Sequence, residues 1–269
     1  MFNYYIDGKW IKSDEASVPF NDMGFLYGDG LFETMRFDSK RIFSIDKHID
    51  RLLSGLKVID LQLDKDKSDL FKLINLIIAK NNIDSGIIRL MVTRGTSDIK
   101  VPSIYISIKP FYSIPNAPVK VIYLNETNFP IIRFNPAIKS MNYLGNMLAK
   151  KETEKLNAFE PVFYNKESKI TECAIRNIFY IKNNILLTPC LDLGILSGVM
   201  RETIIDIAKK NNIQVKETYI DYKDINQMDE AFISSTGIGM LECIWDGWSS
   251  SFSITKKIKK ELFKKIKKS

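Results

Sequence analysis

The spacing of apolar residues changes several times along this chain, and each change predicts an element. Phe2 to Ile6 alternates, Asp7-Gly8 interrupts it and Lys9-Trp10-Ile11 follows, the pattern of a hairpin. Gly24, Gly28 and Gly30 then mark a backbone that turns tightly before an alternating strand through Phe37. Asp46 is placed as the N-cap of a helix that turns Ile49, Leu52, Leu53 and Leu56 inward. Residues 69–82 predict a second amphipathic helix, and 87–93 and 104–108 predict strands joined through Arg94-Gly95-Thr96-Ser97-Asp98.

Ile114-Pro115-Asn116-Ala117-Pro118 has the composition of a linker. The pattern therefore predicts an α/β chain of the α+β type in two domains: a smaller one over 1–113 and a larger one over 119–269, joined by 114–118. In the second, 119–124 starts as a strand. Lys139 stands just before a helix whose apolar face is expected to be Met141, Leu144, Leu148 and Leu156. A strand at 160–164 follows, then one from Lys169 to near Ile181 that carries Glu172, and a short one at 185–189. The loop from Leu191 feeds a helix opened by Gly198-Val199 and continuing to Lys210. Ala231 to Gly239 is a strand running into a loop of small residues.

Composition narrows the function. The 269 residues, 45% hydrophobic and 26% charged, exclude disordered and fibrous classes. No apolar run approaches the roughly 20 residues that cross a bilayer, and the N-terminus lacks a basic segment followed by an apolar one, so no signal peptide is expected. Cys173, Cys190 and Cys243 form no CxxC pair, which argues against a disulfide framework or structural zinc and for a reducing, cytoplasmic setting. His48 is the single histidine, which removes histidine-based metal sites and Ser-His or Cys-His catalysis. No metal is expected. Acid–base chemistry must come from lysine, carboxylate, tyrosine or a cofactor.

The net charge of +7 is weighted toward the C-terminus, where Lys256-Lys257-Ile258-Lys259-Lys260 leads into Lys264-Lys265-Ile266-Lys267-Lys268. Ile258, Leu262 and Ile266 recur at helical spacing, so the segment reads as a terminal helix docked on its apolar stripe with a solvated basic face. Neither nucleic acid nor membrane is expected as a partner. A non-catalytic or nucleic-acid-binding protein acting through this tail is the competing class.

Three features suit one chemistry. Gly198-Val199 opening a helix and Ser235-Thr236-Gly237 ending a strand offer amides and hydroxyls to a phosphate, and Arg51 offers a bidentate cation. Lys139 offers an amine and Glu172 a carboxylate inside an apolar strand; each is also open to a bland reading, as a solvated lysine and an edge carboxylate facing water. A lysine, a phosphate site and a buried carboxylate are what pyridoxal 5′-phosphate requires.

Tyr27-Gly28-Asp29-Gly30-Leu31-Phe32-Glu33, His48-Ile49-Asp50-Arg51-Leu52, Lys139-Ser140-Met141-Asn142-Tyr143-Leu144, Thr171-Glu172-Cys173 with Asn177-Ile178-Phe179, and Gly198-Val199-Met200-Arg201 occur in one order over most of the chain. In these segments it resembles the class IV aminotransferases, the fold-type IV pyridoxal-phosphate enzymes. These include branched-chain and D-amino-acid aminotransferases and 4-amino-4-deoxychorismate lyase. The resemblance implies a two-domain fold with the cofactor between the domains, and a homodimer. It makes Lys139 the lysine that bonds the cofactor and moves the proton, and Glu172 the partner of the pyridine nitrogen. Arg51, the amides of Val199 and Met200 and the hydroxyls of Ser235 and Thr236 become the phosphate site, Tyr143 the neighbour of the phenolic oxygen, and His48 a structural residue.

Departures from the family bear on the reaction. The arginine and histidine that D-amino-acid aminotransferases carry after the Thr93-Arg94-Gly95 position are missing, which disfavours that activity. Cys173, Met200 and Gly239 resemble the lyase branch, which yields 4-aminobenzoate and pyruvate for folate synthesis; against it, the glycine- and arginine-rich turn some lyases show after Arg94 is missing, and Lys100 is the candidate to supply that positive charge. The sequence leans to the lyase, with a branched-chain aminotransferase using 2-oxoglutarate as the alternative.

Overall fold

The N-terminal alternation produces β1 (Asn3–Ile6) and β2 (Lys9–Lys12), paired antiparallel around Asp7-Gly8. The computed structural model describes residues 1–98, 101–111 and 113–268, so Lys100 lies outside the described residues. The chain divides into two units, Met1–Tyr112 with Ile138–Asn142 and Ser113–Ala137 with Tyr143–Lys268.

In the first unit, α1 (Met23–Tyr27) is capped by the Asp22 side chain and stopped by Gly28 at φ 69°, a conformation that suits glycine. β3 (Gly30–Asp38), β4 (Arg41–Ile42), α2 (Ile45–Val58), α3 (Lys67–Asn81), β5 (Gly86–Thr93) and β6 (Ser103–Lys109) follow. The six-stranded antiparallel sheet runs β2-β1-β6-β5-β3-β4. Leu31, Met35, Ile88, Leu90 and Ile106 meet Ile49, Leu52, Leu70 and Ile74 of α2 and α3 in one core. Burial of each such side chain contributes about 1.5–3 kcal/mol. Because strand side chains alternate, Phe32, Thr34 and Arg89 belong to the opposite face.

The second unit contains β7 (Val119–Asn125), α4 (Leu144–Lys155), β8 (Glu160–Tyr164), β9 (Ile170–Cys173), β10 (Asn177–Lys182) and β11 (Ile185–Pro189). After them come α5 (Val199–Lys210), β12 (Val215–Thr218), β13 (Glu230–Ser235), β14 (Gly239–Ile244) and α6 (Ser253–Lys268). Its eight-stranded mixed sheet runs β12-β11-β10-β13-β14-β7-β8-β9, around a core that includes Val121, Val162, Ile178, Tyr180, Ile233 and Cys243.

Several boundaries differ from the sequence reading, for local reasons. Helix α2 is preceded by Ser44 in the left-handed region, which makes no side-chain cap bond; Asp46 sits inside the first turn, where it still complements the helix dipole. A reciprocal Asp66–Asp69 capping box starts α3 at Lys67 rather than at 69. The expected long strand around Glu172 breaks into β9 and β10, because Cys173 N donates to Arg176 O and closes a turn.

Helix α4 inverts its expected face. It buries Gly145, Ala149 and Thr153, and Leu144 is 69% exposed, with Leu148 and Leu156 also outward. Gly145 lies so close to Pro130 that a Cβ would fall 2.4 Å from the Pro130 carbonyl oxygen, so the small-residue face is the one that can approach. Met141 is not on this helix at all. Residues 138–142 pack in the first unit instead, held by Phe32 N donating to Lys139 O (3.0 Å) and Met141 N donating to Gly30 O (2.9 Å).

Helix α6 docks as its spacing suggests, with Ile258, Leu262 and Ile266 buried. Glu230 accepts from Ile254 N, Thr255 N and the Ser253 hydroxyl and so caps its N-terminus. Among the described residues no helix is long and apolar enough to cross a membrane, and no group of three or more His, Cys, Asp and Glu could hold a metal.

Candidate active site

Lys139 is fixed by its backbone before its side chain is considered. The 139–141 segment bonds along the N-terminal half of β3, with Ser140 bridged to Leu31. Asn142 Nδ2 donates to Gly28 O at 3.1 Å, tying the segment to the turn before the strand. This delivers the half-buried Lys139 to the Phe32 ring, with Nζ 4.3 Å from the centroid. The Arg89 guanidinium lies 4.4 Å from the same centroid. Both are cation–π distances, and they place two positive groups in one neighbourhood. Arg89, the one exposed residue of β5, was missed in the sequence; a lone charge in Gly86-Ile87-Ile88-Arg89-Leu90-Met91-Val92-Thr93 was the available signal.

Arg51 and His48 project from one face of α2, three residues apart, and meet Glu33 of β3. Arg51 Nε and Nη2 donate to the two Glu33 oxygens at 2.7 Å each, a side-on bidentate pair. His48 Nδ1 lies 2.7 Å from Glu33 Oε2. Glu33 is 1% exposed and His48 fully buried. Burial acts to raise the Glu33 pKa, but Arg51 and then His48 outweigh it and hold the carboxyl at about 2. Burial also lowers the His48 pKa; Glu33 opposes that, whereas Arg51 and Lys139 add to it. His48 is therefore neutral, and because the carboxylate only accepts, its Nδ1 carries the proton.

Arg94 has a structural task. Its guanidinium donates to Asp29 and to the Ile59 and Asp60 carbonyls at the end of α2.

In the second unit, Glu172 is half-buried on β9. Arg133 Nη1 donates a short bond to Glu172 Oε1, and Leu196 N donates to Oε2 at 3.2 Å. Arg133 Nη2 also donates to Glu126 (2.8 Å) and to the Thr171 hydroxyl (3.1 Å). Burial alone would lower the arginine's pKa; the two carboxylates more than offset it. Arg133 was likewise missed, although it is the only charge in Phe129-Pro130-Ile131-Ile132-Arg133-Phe134.

Two residues after Leu196, Gly198 caps α5. This helix has no side-chain N-cap bond, so its first amides belong to the buried Val199 and Met200. Asn177 organises the surroundings: Nδ2 donates to Leu196 O at 3.0 Å, and Oδ1 sits where a Cβ on Gly198 would fall 2.1 Å away. Asn177 pairs in register with Ser234, which sets Ser235 and Thr236 just beyond. The carboxylate, the helix N-terminus and the hydroxyl loop thus gather around Leu196-Ser197-Gly198. Tyr143 stands half-buried at the start of α4. Arg51 and Lys139 belong to the first unit; Tyr143, Glu172, Val199, Met200, Ser235 and Thr236 belong to the second.

The profile of the amino-transferase class IV family matches residues 30–243. The chain belongs to this family. D-alanine aminotransferase from Listeria monocytogenes is 34% identical over 246 residues, covering 87% of this chain and 83% of that protein. Branched-chain aminotransferase from Thermoproteus uzoniensis, solved with norvaline, superposes with a TM-score of 0.89 at 26% identity, covering 100% of this chain and 96% of that one. A protein from Legionella pneumophila described as a putative 4-amino-4-deoxychorismate lyase gives 0.85 at 27% identity, over 93% and 96%. The fold is accordingly that of the fold-type IV enzymes, and the class IV enzyme is pyridoxal-phosphate-dependent, a transaminase or a lyase.

The donor set suits that cofactor. Gly198 leaves space against Asn177, and α5 offers amides with no side chain capping them. Glu172 is an ion-paired carboxylate, able to hold a proton on a ring nitrogen.

Proposed function

We propose that this class IV enzyme is an amino-acid aminotransferase, moving an amino group from a small amino acid to a 2-oxo acid. The observation that carries this reading is the shared Phe32 ring, which the Arg89 guanidinium and the Lys139 amine both approach, at 4.4 and 4.3 Å from its centroid. A cation next to the group that handles the substrate's amine-bearing carbon is where an α-carboxylate would be gripped.

Bound cofactor supplies an acceptor for the electron pair released at that carbon. The chain's own residues do the rest. Lys139 would hold the cofactor covalently, and its Nζ would be the group that moves the proton at the substrate's amine-bearing carbon. Glu172 would face the ring nitrogen, and Arg133 holds the Glu172 carboxylate in place through their ion pair. Arg51, the Val199 and Met200 amides and the Ser235 and Thr236 hydroxyls hold the phosphate. Tyr143 stands by the phenolic oxygen.

The likeness to the Listeria and Thermoproteus proteins supports transamination. The likeness to the Legionella protein supports a second reading, the lyase, in which the same electron pair expels a leaving group from the neighbouring carbon. The residues that incline the sequence toward the lyase have packing explanations. Cys173 is buried in the core, Met200 is 1% exposed, and Gly239 turns at φ 73°, where a side chain would be strained. Assays of amino exchange with D-alanine, L-alanine and L-leucine against 2-oxoglutarate, beside 4-aminobenzoate formation from aminodeoxychorismate, separate the two. Only the latter activity would sink the transaminase reading. Arg89→Gln is expected to raise KM for the amino donor by about tenfold or more, the worth of one charge-assisted bond.

The same reading includes a homodimer in a reducing, cytoplasmic setting. The outward Leu144, Met147 and Leu148 offer an apolar stripe, and all three cysteines are free. Light scattering of the purified protein should give twice the chain mass, and Leu144→Asp should reduce it.

A further inference from the structure

Glu33 stands in the segment that identifies the family, yet nothing in the foregoing chemistry uses it. It is a buried carboxylate of the first unit, and three donors converge on its two oxygens at 2.7 Å: Arg51 Nε, Arg51 Nη2 and His48 Nδ1. A guanidinium held through Nε and Nη2 has lost its rotation. Its plane coincides with that of the carboxylate, and its remaining edge, Nη1, faces away from Glu33. A free arginine samples many rotamers, and ordering it at the moment of binding costs affinity.

We propose that Glu33 is a positioning residue for the cofactor: it pre-orders the Arg51 guanidinium so that its outer edge meets the phosphate without further ordering. This rests on the reading of Arg51 as a phosphate ligand. His48 completes the device. Its neutral ring donates from Nδ1 to the same carboxylate without adding a charge that would compete for Glu33. The sequence spacing follows from this. His48 and Arg51 lie at i and i+3 on α2, so one buried side chain on a neighbouring strand can receive both.

The test compares two probes on the full-length protein stripped of cofactor: pyridoxal 5′-phosphate and pyridoxal, which lacks the phosphate. Glu33→Gln, checked for folding by circular dichroism, is expected to weaken pyridoxal phosphate by about tenfold or more while leaving pyridoxal within about twofold. Inorganic phosphate should likewise compete less well against pyridoxal phosphate. Equal loss for both probes, or no loss for either, would overturn the proposal, because a role in the fold alone does not distinguish them. Glu33→Asp, which keeps the charge but draws it back from the guanidinium fork, should show the same selective loss; failure of both variants to fold would also overturn it. Arg51→Gln checks the underlying reading. If it binds pyridoxal phosphate like wild type, Arg51 is not a phosphate ligand. If it loses affinity and the folded Glu33 variants do not, only the positioning role fails.

Discussion

Arg133 and Glu172, 39 residues apart in the chain, form an ion pair in the second unit, and Glu126 and Thr171 take the arginine's other nitrogen. The pair fixes the position of a carboxylate that stands in an otherwise apolar strand. Removing the arginine leaves two neighbouring carboxylates, Glu126 and Glu172, without their common counter-ion. Arg133→Gln is expected to lower kcat by roughly 10- to 100-fold, the range of a lost charged hydrogen bond. Arg133→Lys should recover part of it, since it keeps the charge and loses the fork. Steady-state kinetics on the three proteins decide the matter; equal kcat in all three would show that Arg133 does not act on Glu172.

Acid should destabilise the first unit in two stages. His48 is folded in its neutral form with a lowered pKa, so the unfolded chain takes up the extra proton first. Stability present above about 6.5 is lost as pH falls toward the folded value. Glu33 follows. Its pKa falls from 4.5 to about 2, so its contribution is full above 4.5 and disappears as pH drops through 2. That contribution is on the order of 3 kcal/mol. Thermal melts from pH 7 to pH 2 should show a falling Tm, and Glu33→Gln should flatten the limb below 4.5. A mutant whose acid limb matches wild type would contradict the assignment.

Gly198→Ala tests the crowding at α5. The new Cβ would lie 2.1 Å from Asn177 Oδ1, so the asparagine must swing and release Leu196 O. A stability loss of about 1–3 kcal/mol is expected, with weaker cofactor binding, by chemical unfolding and by titration. Wild-type values on both would mean that Asn177 does not organise the loop.

How much of this was legible in the sequence depends on the range of the interaction. Local patterns were enough for most strands and helices and for the docked terminal helix, but not for the short α1 and β4 or for β12 and β14, whose segments carry little periodicity. Helix α4 misled, because its leucines recur at helical spacing while Gly145, Ala149 and Thr153 are what pack; a periodicity of large residues does not reveal which face can come close. Lys139 was placed by its following helix, whereas its actual support is hydrogen bonding to β3, more than a hundred residues earlier. Arg133 with Glu172, and Arg89 and Lys139 each with Phe32, are side-chain meetings set by the fold, and no spacing in the chain encodes them.

Everything chemical in this account depends on Lys139 bonding the cofactor. Purified protein loaded with pyridoxal 5′-phosphate can be reduced with borohydride, digested and mapped by mass spectrometry. The expected result is a single pyridoxyl-modified peptide with the modification on Lys139, and none in Lys139→Ala. Modification at another lysine, or no modification of the loaded wild type, would contradict it.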